Sequence, residues 1–468
     1  MQKVTLVNPP QFSNYPQPPM GLILLAAVLE SKGYPVNLVD ANFLDLKPAD
    51  IVPLLDDTDI LGLTAMTPTV SRAIDIAREV KSARPDLPII MGGPHATLLP
   101  AETMAVAPEI DIIVRGEGEE SFINLLSVLE AKKPLANVMG ITHRKDGVIV
   151  DNPPSPEISN LDSLPLLAYN LIPLKLYKPH PPHGKALPFA VLITSRGCPY
   201  NCGYCSKPVF GKRFRGQSPA RVADEIAWLR EKYGAKEIAF YDDSFTLDMD
   251  RAYQICEEII RRKLNIIWSC ETRVNLVDKR LLRKMKQSGC YSISYGLESG
   301  SQKILDVIEK NTTIEQAEEA VRYTHEAGIS AIGYFMIGSP GETLDTIGET
   351  IRFAKKLKLD FAQFSITTPF PGTRLYELYL EGGGRADIPW EDYVYAAASE
   401  GSAPVFESDS LSRDDIIRWE SRAYREFYLR PSYIWQRLLS STTIGDIKVN
   451  LNGLFMLLDS IKTKKKKR

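Results

Sequence analysis

The stretch "FAVLITSRGCPYNCGYCS", residues 189–206, sets three cysteines, Cys198, Cys202 and Cys205, directly behind an apolar run. The chain has only six cysteines among 468 residues, so half of them sit within eight positions. "FAVLITS" reads as a buried strand. The cysteine cluster therefore opens the loop that follows a strand, and proline and glycine constrain that loop.

Working outward, more strand patterns follow, each separated from the next by a helical pattern. They are "EIAFYDDSF" (237–245), "NIIWSCET" (265–272), "YSISYGLES" (291–299), "SAIGYFMIGSPGE" (330–342) and "FAQFSITTPFPGT" (361–373). The intervening helices include "RVADEIAWLREKYG" (221–234) and "TIEQAEEAVRYTHEAG" (313–328). Six such units in about 190 residues suit a partial (β/α)6 barrel better than a complete eight-fold one. In barrels the chemistry lies where strands give way to loops, which is where the cysteines stand.

The N-terminal part alternates in the same way. Strand patterns at 3–10, 36–41, 59–65, 89–95 and 111–118 are interleaved with helices at 20–33, 69–85 and 120–131. This implies a doubly wound parallel sheet of Rossmann-like type, with ligands at the carboxyl ends of the strands. Those ends carry "NPP", "TAMT", "GGPH" and "GEGE". Residues 151–188 are proline-dense and aperiodic, as expected of a linker between domains. The expected organisation is a doubly wound domain at 1–150, a linker at 151–188, a partial barrel at 189–385 and a helical C-terminal domain at 386–468.

Composition narrows the class of protein. The chain is 44% hydrophobic and 24% charged, with a formal net charge of −2, so the molecule as a whole shows no preference for nucleic acid. No run of 18 apolar residues is present, and the first residues lack the pattern of a secretory signal. The cysteines are not spaced like a disulfide framework, and a chain this large does not need one, which points to a reducing cytoplasm. Six of the last seven residues are basic and follow a partly amphipathic stretch at 447–461, so the tail is a candidate for peripheral contact with a membrane surface.

Three clustered cysteines leave two metal readings. Structural zinc takes four closed ligands, and the next cysteine is the distant Cys256. A cuboidal 4Fe–4S cluster held by three thiolates keeps one iron open for a substrate or cofactor. "CPYNCGYC" (198–205), with Tyr204 before the last cysteine, resembles the CxxxCxxC signature of the radical S-adenosylmethionine (SAM) superfamily. A doubly wound domain ahead of such a barrel resembles the cobalamin-binding subclass, and the likeness covers residues 1–385.

The resemblance implies that Cys198, Cys202 and Cys205 ligate a 4Fe–4S cluster. The open iron then chelates SAM, which is cleaved reductively to a 5′-deoxyadenosyl radical. In "FYDDSF" (240–245), Asp242 and Asp243 stand where relatives receive the SAM amino group. Glu298 resembles an acid that contacts SAM, Arg273 is a carboxylate partner, and Gly338 lies in a turn that lines adenine. Asn8, Thr64, Gly92, Gly93, His95, Glu117 and Gly118 mark the cobalamin side. The Asp-x-His-x-x-Gly loop that ligates cobalt in methionine-synthase-type domains is absent, and His95 is the only histidine at a strand end. The implied function is modification of an unactivated carbon: methylation first, radical cyclisation or C–C coupling of a lipid or tetrapyrrole second, and a zinc-stabilised binding module as the remote alternative. The implied partner is an external one-electron reductant of flavodoxin or ferredoxin type.

Overall fold

The computed structural model describes residues 1–11, 15–179, 184–382, 384, 388–393, 407 and 410–440. Its first sheet has seven strands: β1 (Val4–Asn8), β2 (Val36–Asp40), β3 (Ile60–Thr64), β4 (Ile89–Gly92), β5 (Ile112–Val114), β6 (Ile141–Lys145) and β7 (Val148–Asp151). Their order is β2-β1-β3-β4-β5-β6-β7. β1 to β5 run parallel, while β6 and β7 form an antiparallel hairpin on the β5 edge. Strand order reverses at β1, and this switch point makes a crevice at the carboxyl ends of β1 and β3. The helix Met20–Ser31 is apolar on nearly every face because the sheet covers one side and the rest of the molecule the other.

The second sheet is a parallel series. It consists of β8 (Phe189–Leu192), β11 (Glu237–Phe240), β12 (Ile267–Thr272), β13 (Cys290–Glu298), β14 (Ser330–Ile337) and β15 (Phe361–Ile366). Two short strands, β9 (Ser195–Arg196) and β10 (Arg215–Gly216), pair antiparallel and bracket the cysteine loop. The order β15-β14-β13-β12-β11-β8 leaves the curved sheet open between β8 and β15, a six-unit partial barrel. Local chemistry fixes the helix ends between strands. Ser218 accepts a bond from the Arg221 amide, Pro219 begins the helix, and Gly234 ends it in the left-handed conformation.

Residues 152–188 pack more deeply than their composition implies. The Tyr169 hydroxyl donates to the Val191 carbonyl (2.6 Å) in β8, and the Tyr177 hydroxyl donates to Asp40 (2.5 Å) at the end of β2. The segment thereby fastens one sheet to the other, and a single apolar core runs from Val4 through Tyr169 into the barrel. Beyond β15, the helix Arg413–Tyr428 closes the exposed barrel edge. The Tyr424 and Tyr428 hydroxyls accept the Phe364 and Ala362 amides (3.1 Å each), supplying partners that an edge strand lacks. The helical expectation for 386–468 is met in part by this helix and by Pro431–Ser440, and the basic tail lies outside the described residues. Among the described residues no helix is long and apolar enough to cross a membrane.

Candidate functional site

A cavity of about 880 Å³ lies between the two sheets. Asn8, Thr64, Gly92, Gly93, Glu117 and Gly118 line one wall, and Arg196, Lys207, Phe210 and Asp243 line the other. The first wall is the set of strand ends where the sequence places a large flat ligand. Gly93 has φ +93° and lies so close to Thr64 that a Cβ there would meet its Oγ1 at 2.7 Å. A side chain there would collide with Thr64 and Ala65, so glycine lets the end of β4 lie this close against β3. The volume and this bare backbone fit a bulky cofactor such as cobalamin.

His95, expected on the cobalamin side, is not among the residues that line that wall. Pro94 starts a short helix, and the next side chain turns back into the domain. The imidazole is buried against Trp390, with ring centroids 4.6 Å apart, and its Nδ1 lies 3.2 Å from Thr67 Oγ1. Burial pulls its pKa down to about 4, so the ring is neutral. Glu117 lines the cavity, but its carboxylate is committed to Arg196 (2.9 Å) and Arg215 (2.5 Å). Glu119 takes the other arm of Arg196 at 2.5 Å. Arg196 stands two residues before Cys198, so "RGEGEE" (115–120) is a clamp between domains as well as a cavity edge. Asn8 donates to Asp40 at 2.8 Å.

The three cysteines are free thiols. Cys198 and Cys202 are largely buried, and Cys205 is exposed. Gly197 begins the loop at φ +80°, where a Cβ would collide with the Arg213 carbonyl. Protein packed around the Cys205 sulfur pushes its thiol up to about 11; Lys207 opposes the shift, and Cys202 and Cys198 add to it. Cys202 and Cys198 thus lie near enough to act on the Cys205 sulfur. Cys256 is buried inside a barrel helix. Three soft thiols on one loop without a fourth are a donor set that fits an iron–sulfur cube with one open iron.

The remaining sequence candidates divide. Asp243 faces the cavity; the Gly197 amide bonds its carboxylate and Lys207 lies near, while burial nevertheless raises its pKa. Asp242 is spent inside the fold. It accepts the Thr194 amide (2.9 Å) and the Ser195 hydroxyl (2.5 Å), and it neighbours the buried Arg251. Glu298 holds φ 63° at a register shift in β13 and pairs with Lys310 (2.7 Å) and the Tyr204 hydroxyl (2.8 Å). The Tyr204 ring therefore ties the cysteine loop to β13. Gly338 turns against Ile416 of the C-terminal helix, and its amide donates to Glu342 (2.6 Å).

Two groups escape the sequence reading. Lys310, in "IEKNTT" (308–313), looks like a solvated charge yet is 3% exposed and bonds both Glu298 and Tyr204. Glu271 accepts from the Tyr334 hydroxyl at 3.2 Å, and burial raises its pKa. Its place in β12, one residue after the outward-packed Cys270, was the available signal, because alternate strand positions face opposite sides.

This arrangement sets a three-cysteine loop suited to an iron–sulfur cluster against a domain with a cofactor-sized cavity. The Radical SAM superfamily profile matches residues 192–354, and the B12 binding domain profile matches residues 13–126. An uncharacterized methyltransferase of Pyrococcus horikoshii is 38% identical over 93% of this chain and 94% of its own length. The anaerobic magnesium-protoporphyrin IX monomethyl ester cyclase of Rubrivivax gelatinosus is 30% identical over 89% of this chain and 75% of its own length. The methyltransferase TsrM of Kitasatospora setae, solved with cobalamin and a [4Fe–4S] cluster, shares the fold with a TM-score of 0.72 at 20% identity, covering 92% of this chain and 89% of that one. The chain belongs to the radical SAM superfamily, in the group that carries a B12-binding domain. It is an enzyme, and its cofactors are a [4Fe–4S] cluster, SAM and cobalamin. Enzymes of this superfamily draw electrons from an external reductant.

Proposed function

We propose that this enzyme methylates an unactivated carbon of a small-molecule, lipid or peptide substrate. The observation that carries the reading is the shared cavity: the strand ends of the B12-binding domain face one space with Arg196 and residues 206–210, which flank the three cysteines of the barrel. When bound, cobalamin supplies a methyl carrier, and the cluster supplies the electron that splits SAM. The protein's part is placement. Cys198, Cys202 and Cys205 would hold the cluster and leave one iron open to SAM. Asp243 receives the SAM ammonium at the cavity edge. Asn8, Thr64, Gly92, Gly93 and Gly118 receive the cobalamin face, while Arg196 and Glu117 keep the two halves in register. The setting is the reducing cytoplasm, with a flavodoxin or ferredoxin as electron donor.

A second reading, radical cyclisation or C–C coupling, is supported by the identity to the Rubrivivax cyclase. Anaerobic reconstitution with iron, sulfide, hydroxocobalamin, SAM and dithionite separates the two. Formation of both 5′-deoxyadenosine and S-adenosylhomocysteine, measured by mass spectrometry, supports methyl transfer. Deoxyadenosine without the homocysteine favours cyclisation. Absence of both from protein holding four irons overturns the radical reading, as does full turnover by Cys202→Ala.

A further inference from the structure

Arg273 was expected to grip a carboxylate; in the structure each of its three guanidinium nitrogens has a protein partner. Nη1 donates to the Cys202 sulfur at 3.1 Å, Nε donates to Asn275 Oδ1 at 3.3 Å, and Nη2 donates to the Lys310 carbonyl. The guanidinium plane lies over the Tyr200 ring, 3.8 Å from its centre. The residue is 6% exposed. Tyr200 belongs to the cysteine loop itself, and Lys310 is held in turn by Glu298 and Tyr204. The cation is therefore immobilised from both sides of the loop, aimed at one cluster-ligating sulfur.

We propose that Arg273 is a positioning residue that sets the reduction potential of the cluster. An N–H donor on a cysteine sulfur, together with a fixed positive charge, stabilises the more negative reduced cluster; hydrogen bonds to sulfur and net charge are the levers by which proteins tune such couples. The step concerned is a one-electron reduction: the external donor loses one electron, the cluster gains it, and no bond or proton moves. Lysine is not equivalent here. It carries the charge but not the planar fork that serves three acceptors and stacks on Tyr200. The inference rests on the three-cysteine cluster assigned above.

The test uses full-length wild type, Arg273→Gln and Arg273→Lys, each reconstituted anaerobically without SAM. Iron is counted, and the reduced cluster is followed by electron paramagnetic resonance during a potentiometric titration. Arg273→Gln is expected to lower the reduction equilibrium at least tenfold, about 59 mV more negative for one electron. Arg273→Lys is expected to lower it at least threefold. An Arg273→Gln protein with four irons and a wild-type potential overturns the proposal. So does weakened SAM binding with an unmoved potential, since that is the signature of a carboxylate clamp. If Arg273→Gln does not assemble the cluster, Arg273→Lys decides, and an unchanged potential there is equally fatal. Wild type lacking four irons would instead overturn the cluster assignment itself.

Discussion

Asp242 and Asp243 are adjacent acids with opposite fates. The strand β11 ends at Phe240, so the next residues choose sides by backbone direction alone. Asp242 turns inward and collects donors from Thr194 and Ser195, with Arg251 close by. Asp243 turns toward the cavity and keeps its carboxylate available to a ligand. Asp242→Ala leaves several buried donors without an acceptor. It should destabilise the protein by roughly 2–3 kcal/mol in denaturant unfolding. Asp243→Ala should leave the unfolding midpoint within about 0.5 kcal/mol of wild type while SAM cleavage falls at least tenfold. A stable, fully active Asp243→Ala protein removes Asp243 from the SAM site. The motif "FYDDSF" announced an acid at this position, but two neighbouring carboxylates are indistinguishable in sequence. Lys310 and His95 show the same limit from the other direction. A lysine beside a glutamate reads as surface until folding buries it, and a strand-end histidine reads as a ligand until Pro94 turns it away.

At the scale of elements, periodicity revealed the parallel strands of both sheets, because strands buried on both faces are short apolar runs broken by helices. The hairpin β6–β7 was missed. "ITHRKDGVIVD" (141–151) carries charges through an exposed edge, which masks its alternation, yet its Asp146-Gly147 pair is a hairpin turn signal. The turn after β14 shows what an element can add beyond its pattern. Glu342 is fully buried, accepts the Gly338 and Ser339 amides, and has one oxygen without a partner among the described residues. Burial raises its pKa to about 7 against those two stabilising bonds. An unfolded glutamate ionises near 4.5, so between there and about 7 the folded state holds the extra proton. The contribution of Glu342 is therefore intact below pH 4.5 and is lost as pH rises to about 7. Glu342→Gln keeps an acceptor for the two amides and abolishes the ionisation. Its stability relative to wild type should rise from pH 5 to pH 8 by up to about 3 kcal/mol. A difference between the two that stays flat across that range, followed by urea denaturation, would show that the carboxyl ionises normally.

At the scale of the whole molecule, the two domains are joined by chemistry that reaches the reacting groups. Arg196 lies two residues before the first cluster cysteine, and its guanidinium bridges Glu117 and Glu119 at the start of the helix Gly118–Glu130. Arg215, in the strand that closes the same loop, grips Glu117 from the other side. These pairs are buried, so removing one partner would leave a charge without its counterpart in a poorly solvated interface. A ligand held at the strand ends should then also tighten the cysteine loop, because these ion pairs tie the two together. Hydroxocobalamin at about 100 times its Kd stabilises the state it binds by about 2.7 kcal/mol. Amide hydrogen exchange should register this in two places. Protection should rise at the strand ends of residues 8, 64 and 92–93, and also in residues 195–217 of the barrel, although these belong to the other domain. With Glu119→Gln, which weakens one arm of the clamp, the second effect should shrink while the first persists. Protection confined to the first 150 residues in wild type would mean that the salt bridges fasten the domains without transmitting occupancy of the cavity, and that cluster and cobalamin are loaded independently.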